Sequence, residues 1–322
     1  MNFLSHLQVW PYGLVMSFAF IAMIVVSLMT TRFIRKVRKA RIFCALAWSM
    51  PFALLSARLT WCLVNFSDYI LGNPLSIFKV WEGGLSLWGG ILAALIVIGI
   101  YGRMVHVHPG AILDAVTPGL LVFIAIMRFA EPLANQGYGR EIAASWANLP
   151  FLSAVDACGV ARFAVWRMEG AAAIFLAFCA LTTRVSKQQP GEIFRPSFAA
   201  MAALQQVFES MREDDYLCIG TVRMSQLFAA VAVLGVLIYY VIICAHCESF
   251  TSTFVSILLF IAGGALVVLP EFAMSGVANP AIQYLVMTAG AVVMLLSIFP
   301  ARRIAIRELG ELEKRFGRRW VG

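Results

Sequence analysis

The chain has 322 residues, 61% of them hydrophobic and only 13% charged, with a mean hydropathy of +0.85. A soluble domain carries about 25% charged residues, so a water-facing surface over most of this chain is excluded. The net charge of +8 does not point to nucleic acid, because the basic residues sit at the ends of apolar runs. Lipid phosphate and membrane topology account for them there.

Taken in chain order, eight apolar runs read as membrane-spanning helices: Pro11–Thr30, Phe43–Phe66, Leu85–Tyr101, Ala111–Ala130, Phe163–Leu181, Ser225–Ile243, Phe250–Leu269 and Ala281–Phe299. Each is long enough to cross a hydrocarbon core of ~30 Å as a helix, and none shows the ten-residue alternation of a β-barrel. The expected class is all-α, a polytopic helical membrane protein. Met1–Trp10 has no basic region and the first run is long, so no cleaved signal is expected.

A ninth, shorter run, Ser197–Phe208, is ambiguous by hydropathy and is decided by charge. Arg32, Arg35, Lys36, Arg38, Lys39 and Arg41 follow the first span, and Arg302, Arg303, Arg307, Lys314, Arg315, Arg318 and Arg319 follow the last. Both stretches belong on the cytoplasmic side. The N-terminus is then outside, the C-terminus inside, and the number of spans is odd. Counting Ser197–Phe208 gives nine spans, with 17 Lys and Arg in inside segments against five outside and Arg58, Arg128 and Arg167 within spans. Beyond Phe299, Ala305, Leu309, Leu312, Phe316 and Trp320 recur at helical spacing between charges. That pattern predicts an amphipathic helix, serving either anionic lipid or topology.

Charges inside apolar spans are expensive and mark functional candidates, with buried structural ion pairs as the competing reading. Arg58, Asp114, Arg128 and Glu169 stand out. Arg128 and Glu131 can face each other at i,i+3. Asp114 lies fourteen residues before Arg128 on one helix, ~21 Å away, so the two cannot share a site. Glycine pairs in Trp81–Gly90, including Gly89 and Gly90, permit a re-entrant turn or close helix packing. Gln136-Gly137-Tyr138-Gly139-Arg140 reads as a similar loop. Cys244-Ala-His-Cys247 has ligand-like spacing but supplies only three ligands where structural zinc takes four, so no metal is expected.

Several of these stretches together resemble one family. They are Tyr12-Gly13, Ala57-Arg58-Leu59, the run NPLSIFKVWEGGLSLWGG, LDAVTP around Asp114, RFAEPLANQGYGR from Arg128 to Arg140, Glu169, Glu209-x-x-Arg212, and Met224-Ser225-Gln226. In this order they resemble the bacterial prolipoprotein diacylglyceryl transferases from roughly Trp10 to Ile243. Members of that family move a diacylglyceryl group from phosphatidylglycerol to the thiol of a lipobox cysteine.

The resemblance implies a seven-span core over residues 1–243, an additional two-helix segment over 244–300 and a basic tail over 301–322. It implies an inner-membrane location, phosphatidylglycerol or another anionic phospholipid as partner, and exported lipoprotein precursors as acceptors. No cofactor is implied. Tyr12, Arg58, Gly89, Gly90, Asp114, Gly139, Glu169, Glu209 and Arg212 are the expected substrate-binding residues, and Arg128 and Arg140 the expected cationic catalytic groups.

Three positions depart from the family pattern: Trp88 replaces a histidine before two glycines, Glu131 replaces an asparagine, and Gln205 replaces an arginine. Tryptophan takes no proton, so the expected base becomes Glu131. The chain is then a divergent transferase or a catalytically silent homologue that binds phospholipid or a lipoprotein precursor.

Overall fold

A computed structural model describes residues 11–31, 37–65, 75, 78, 84–142, 149, 151–183, 189–213, 218, 219, 222–246, 250–273 and 281–316. The helices are α1 (Pro11–Thr30), α2 (Lys39–Val64), α3 (Leu87–Met104), α4 (Pro109–Ala130), α5 (Val165–Thr182), α6 (Phe194–Met211), α7 (Met224–His246), α8 (Phe250–Ala273), α9 (Ala281–Leu296) and α10 (Ile298–Phe316). Eight helical stretches among the described residues are long and apolar enough to cross a membrane. Their outward faces carry Leu, Ile, Phe and Val exposed as only a lipid solvent tolerates.

Local chemistry sets several helix starts. Ser86 accepts from the Gly89 amide at 3.5 Å ahead of α3. His108 caps the Gly110 amide at 3.1 Å with Pro109 in the first turn of α4, where proline's missing donor costs nothing. α4 is the central helix: 67% of its span is buried, against 17% for α8.

Contacts at the helix ends define two poles. Thr30 at the end of α1 donates to the Ala115 carbonyl at 2.9 Å, near the start of α4. Asp114 there accepts from the backbone of Gly191, Ile193 and Phe194 at 2.8, 2.9 and 3.0 Å, and so holds the start of α6. Arg212, just past the end of α6, meets Glu131, just past the end of α4. α4 and α6 therefore run in the same direction. The 18 residues of α6 rise ~27 Å, enough to join the poles. Too polar to rank among the eight, α6 is buried on most of its surface. The chain enters α1 at the Glu131 pole and leaves α9 at the Asp114 pole.

Several boundaries differ from expectation. α2 begins at Lys39, four residues before Phe43, and α6 extends three residues beyond each end of Ser197–Phe208. The helical bundle also carries small sheets. β1 (Tyr138–Glu141), β2 (Ser153–Val155) and β3 (Ala161–Ala164) pair antiparallel in the order β1-β3-β2, and β4 (Cys218–Ile219) pairs with β5 (Val222–Arg223). Arg140, expected in a loop, lies in β1, and Phe163, expected to open the fifth span, lies in β3. The turn before β3 is fixed by Asp156. It accepts from the Val160 and Cys158 amides at 2.9 Å each and pairs with Arg162 at 2.6 Å.

α10 is helical, but its first turns dock on the bundle, with Ala301 and Ala305 fully buried. Arg302 pairs with buried Glu192 at 2.9 Å, and Glu192 also binds Arg195 at 2.6 Å and the Tyr240 hydroxyl at 3.0 Å. Cys244 bonds the Ala301 carbonyl at 3.0 Å. Cys247, the basic stretch 32–36 and Trp320 lie outside the described residues.

A buried arginine–glutamate cluster as the candidate functional site

At the sheet pole the ends of α4 and α6 and the start of α5 bring distant charges together. Arg128 ion-pairs with Glu131 one turn on, and with Glu169 of α5 at 2.7 Å. Arg212 pairs with the other oxygen of Glu131 and with Glu169 at 2.8 Å. Gln205, one turn before Glu209 on α6, donates to Glu169 at 3.2 Å and to Glu209 at 2.7 Å. Arg223 completes the group, 3.6 Å from Glu209 and donating to the Arg212 carbonyl at 2.9 Å. Arg128, Glu131, Glu169 and Glu209 are all less than 7% exposed. Charges so buried persist only when paired and hydrogen-bonded. Three arginines and three glutamates make the group neutral when all are ionised.

Glycines let the chain close around this cluster. Gly137 has φ of +84°, and a Cβ there would lie 2.5 Å from a Glu131 carboxylate oxygen. Gly139 bridges to Arg212, and a Cβ would lie 2.6 Å from the Met211 carbonyl. The first requirement follows from the packing of this turn against Glu131 and Trp166, the second from the close approach of β1 to the end of α6.

The expected site residues therefore fall into groups. Arg128, Glu131, Glu169, Glu209 and Arg212 meet in the cluster, with Gly139 at its wall. Tyr12, half-buried at the start of α1, lies within electrostatic reach of Glu131, Arg128 and Arg212. Arg140 lies on β1 beside the cluster and not in it. Arg58 is fully buried on α2 and donates to the Gly84 carbonyl at 3.4 Å. Gly89 and Gly90 lie on the seam of α3 with α2, where a Cβ would meet the Ser56 carbonyl at 2.8 Å and the Ala53 carbonyl at 3.4 Å respectively. Asp114 is at the opposite pole, capping α6. Arg223 joins the cluster although its sequence gave no signal beyond a cation beside Met224-Ser225-Gln226.

Trp88 and Gln205, two of the three departures, line one cleft between α3, α4 and α6, with Leu120, Ile124, Phe198 and Met201 among its walls. Trp88 packs edge-on against Phe198 with centroids 6.3 Å apart. The cleft is mainly apolar, with Thr117, Ser197 and Gln205 as its polar lining, and Gln205 links it to Glu169 and Glu209.

Chemically, the cluster holds two guanidinium forks of the kind that bind phosphate oxygens in pairs, each already engaged by carboxylates. Any anion binding either fork would have to displace a carboxylate from it.

Among known proteins, the chain is similar to a phosphatidylglycerol–prolipoprotein diacylglyceryl transferase of Lactiplantibacillus plantarum, 25% identical over 244 residues covering 72% of this chain and 84% of that protein. A namesake from Listeria welshimeri is 24% identical over 245 residues, 73% and 87% of the two chains. One from Neisseria meningitidis serogroup B is 36% identical over a shorter 125 residues, 38% and 44%. The family model described as prolipoprotein diacylglyceryl transferase matches residues 1–242, and the chain belongs to that family as a multi-pass membrane protein.

Proposed function

We propose that the chain is a divergent phosphatidylglycerol–prolipoprotein diacylglyceryl transferase. It would move a diacylglyceryl group from an anionic phospholipid to an acceptor cysteine thiol during lipoprotein biosynthesis. The observation that carries this reading is the meeting of three separated family stretches at one point: Arg128 with Glu131, Glu169, and Glu209 with Arg212. In the transfer the thiolate sulfur forms a bond to the glyceryl carbon, the carbon–oxygen bond to phosphate breaks, and glycerol phosphate leaves. The step needs cations on the leaving phosphate and an acceptor for the thiol proton.

Arg128, Arg212 and Arg140 supply cations at this pole, and Glu131 is the proposed acceptor. Both oxygens of Glu131 are held by arginines, so it takes a proton when one of those arginines turns to the leaving phosphate. Release of the phosphate and capture of the proton are thereby coupled. Tyr12, Gly139, Glu169 and Glu209 shape the headgroup site in this scheme. Arg58, Gly89 and Gly90 hold the α2–α3 wall, and Asp114 acts at a distance by placing α6.

The same engagement of arginine forks by Glu131 and Glu169, with Trp88 at the histidine position, favours a second reading: a silent homologue that binds phospholipid or precursor without turnover. Purified protein in phosphatidylglycerol vesicles with a lipobox peptide separates the two. Transfer by the parent, reduced about 10²–10⁴-fold in Glu131→Gln, supports the enzyme. No transfer to several lipobox peptides eliminates it.

We further infer a seven-span core over 1–243, an appended helix pair over 244–300 and a tail over 301–322. Placement in the bacterial inner membrane with the sheet pole outside and the tail in the cytoplasm rests on the charge asymmetry.

A further inference from the structure

The helices beyond the family core do more than pad it. α9 packs along α6, where Ser210 meets the Met287 sulfur at 3.4 Å. Tyr284, near its start, stacks edge-on against Phe163 of β3 with centroids 6.2 Å apart. Tyr284 is only 7% exposed, yet its hydroxyl has no hydrogen-bond partner among the described residues. One oxygen of Glu271, at the end of α8, is buried and equally unpartnered. Both groups lie within electrostatic reach of Arg140 on β1. No described hydrogen bond or ion pair engages the Arg140 guanidinium. A buried hydroxyl and a buried carboxylate oxygen left without partners each cost free energy, so these two groups, next to the β1–β3 pair that carries half-buried Arg140, need an explanation.

We infer that Arg140, Tyr284 and Glu271 form a headgroup site between the family core and the appended pair, taking a phosphodiester whose terminal group donates hydrogen bonds. Arg140 and the Tyr284 hydroxyl are donors suited to phosphate oxygens. Glu271 offers an acceptor that phosphate alone would repel. It suits a second moiety bearing hydroxyls, as in a glycerol headgroup, or an ammonium, as in ethanolamine. The inference rests on the lipid-binding part of the proposed function and adds which headgroup chemistry the appended helices select. Tyr284 and Glu271 are specificity-determining residues on this account.

The test is native mass spectrometry of the full-length protein exchanged against equimolar phosphatidylglycerol, phosphatidylethanolamine, phosphatidylcholine and phosphatidic acid. The parent should retain phosphatidylglycerol or phosphatidylethanolamine over phosphatidylcholine, whose terminus donates no hydrogen bond, and over phosphatidic acid, which has no second headgroup moiety to reach Glu271. Which of the first two dominates assigns the hydroxyl or the ammonium. Tyr284→Phe and Glu271→Gln should each reduce that preference about tenfold, the worth of one lost hydrogen bond to a charged group. Tyr284→Phe should also melt no lower than the parent, because it deletes an unpaired hydroxyl; a merely structural tyrosine would show the reverse. Indifference of the parent to the four lipids, or selectivity unchanged in both variants, overturns the site. Failure of transferase turnover with selectivity intact would remove the enzyme reading alone.

Discussion

Asp114→Ala is the substitution whose outcome the structure fixes most tightly. One carboxylate oxygen accepts from Gly191 and the other from both Ile193 and Phe194, and the side chain is fully buried. Alanine leaves three amides without this acceptor in a place water does not reach. A buried donor left unpaired costs about 1–3 kcal/mol, and removal of a helix cap about 0.5–2 kcal/mol. Because the three share one cap and are not additive, the expected loss is about 3–6 kcal/mol. Asparagine keeps an oxygen for Ile193 and Phe194 and turns an amide toward Gly191, so Asp114→Asn should lose roughly half as much, about 1–3 kcal/mol. Equilibrium unfolding in mixed detergent micelles measures both. Lipid selectivity of the folded fraction should be unchanged, because the sheet pole lies ~27 Å away along α6. If Asp114→Ala unfolds within about 1 kcal/mol of the parent yet loses phospholipid binding, Asp114 touches lipid and its capping role is wrong.

Glu169→Leu should destabilise the protein by about 3–5 kcal/mol in the same assay, since it removes one of the two carboxylates that Arg128 and Arg212 share and leaves Glu131 alone to hold both buried arginines; the double variant with Arg128→Met should recover part of that loss, and equal losses would refute the pairing. Hydrogen bonds from the Val160 amide first, and then the Arg162 side chain, hold the Asp156 carboxyl below the usual aspartate range. A lowered folded value means that its support of the β2–β3 turn is complete above about pH 4 and lost as the pH falls through that folded value. Amide exchange at Cys158 and Val160 should accelerate in that acid window, and acceleration on raising the pH from 5 to 7 beyond the intrinsic chemical rate would contradict the sign. Native Cys158 is exposed in this turn and should react with a membrane-impermeant maleimide from outside intact cells, whereas Arg303→Cys in a background without native cysteines should not; the opposite result inverts the topology.

Most of the bundle was legible because an apolar run long enough to cross a bilayer has few other uses. α6 was not, since Gln205, Gln206, Glu209 and Ser210 interrupt its apolar face; only the parity imposed by two basic stretches required it. The sheets went unread because strands of three and four residues, with β3 running directly into α5, leave no separate hydropathy signal. Within the site, Arg128 and Glu131 announce themselves by i,i+3 spacing. Glu169 and Arg212 lie 43 residues apart, and no local pattern says that they touch; their order along a family resemblance was the sole clue. Arg223 and Tyr284 had none, because each acts through a contact with a distant element. Asp114 was legible as an unusual charge but not as a helix cap, since a carboxylate capping a neighbouring helix and one binding a ligand look alike in sequence.

The polar character of α6 also bears on how the chain is made. Gln205 and Gln206 within α6, and Glu209 near its C-terminal end, are costly to expose to lipid, and they find partners on other elements. Its Gln206 and Ser210 face Met294 and Met287 of α9, which leaves the ribosome some eighty residues later. Nascent chains stalled before α9 should therefore hold α6 outside the lipid, open to protease, while the preceding apolar helices are already integrated. Biogenesis would then depend on the appended pair arriving, with insertion of the central polar helix as its late and committing event.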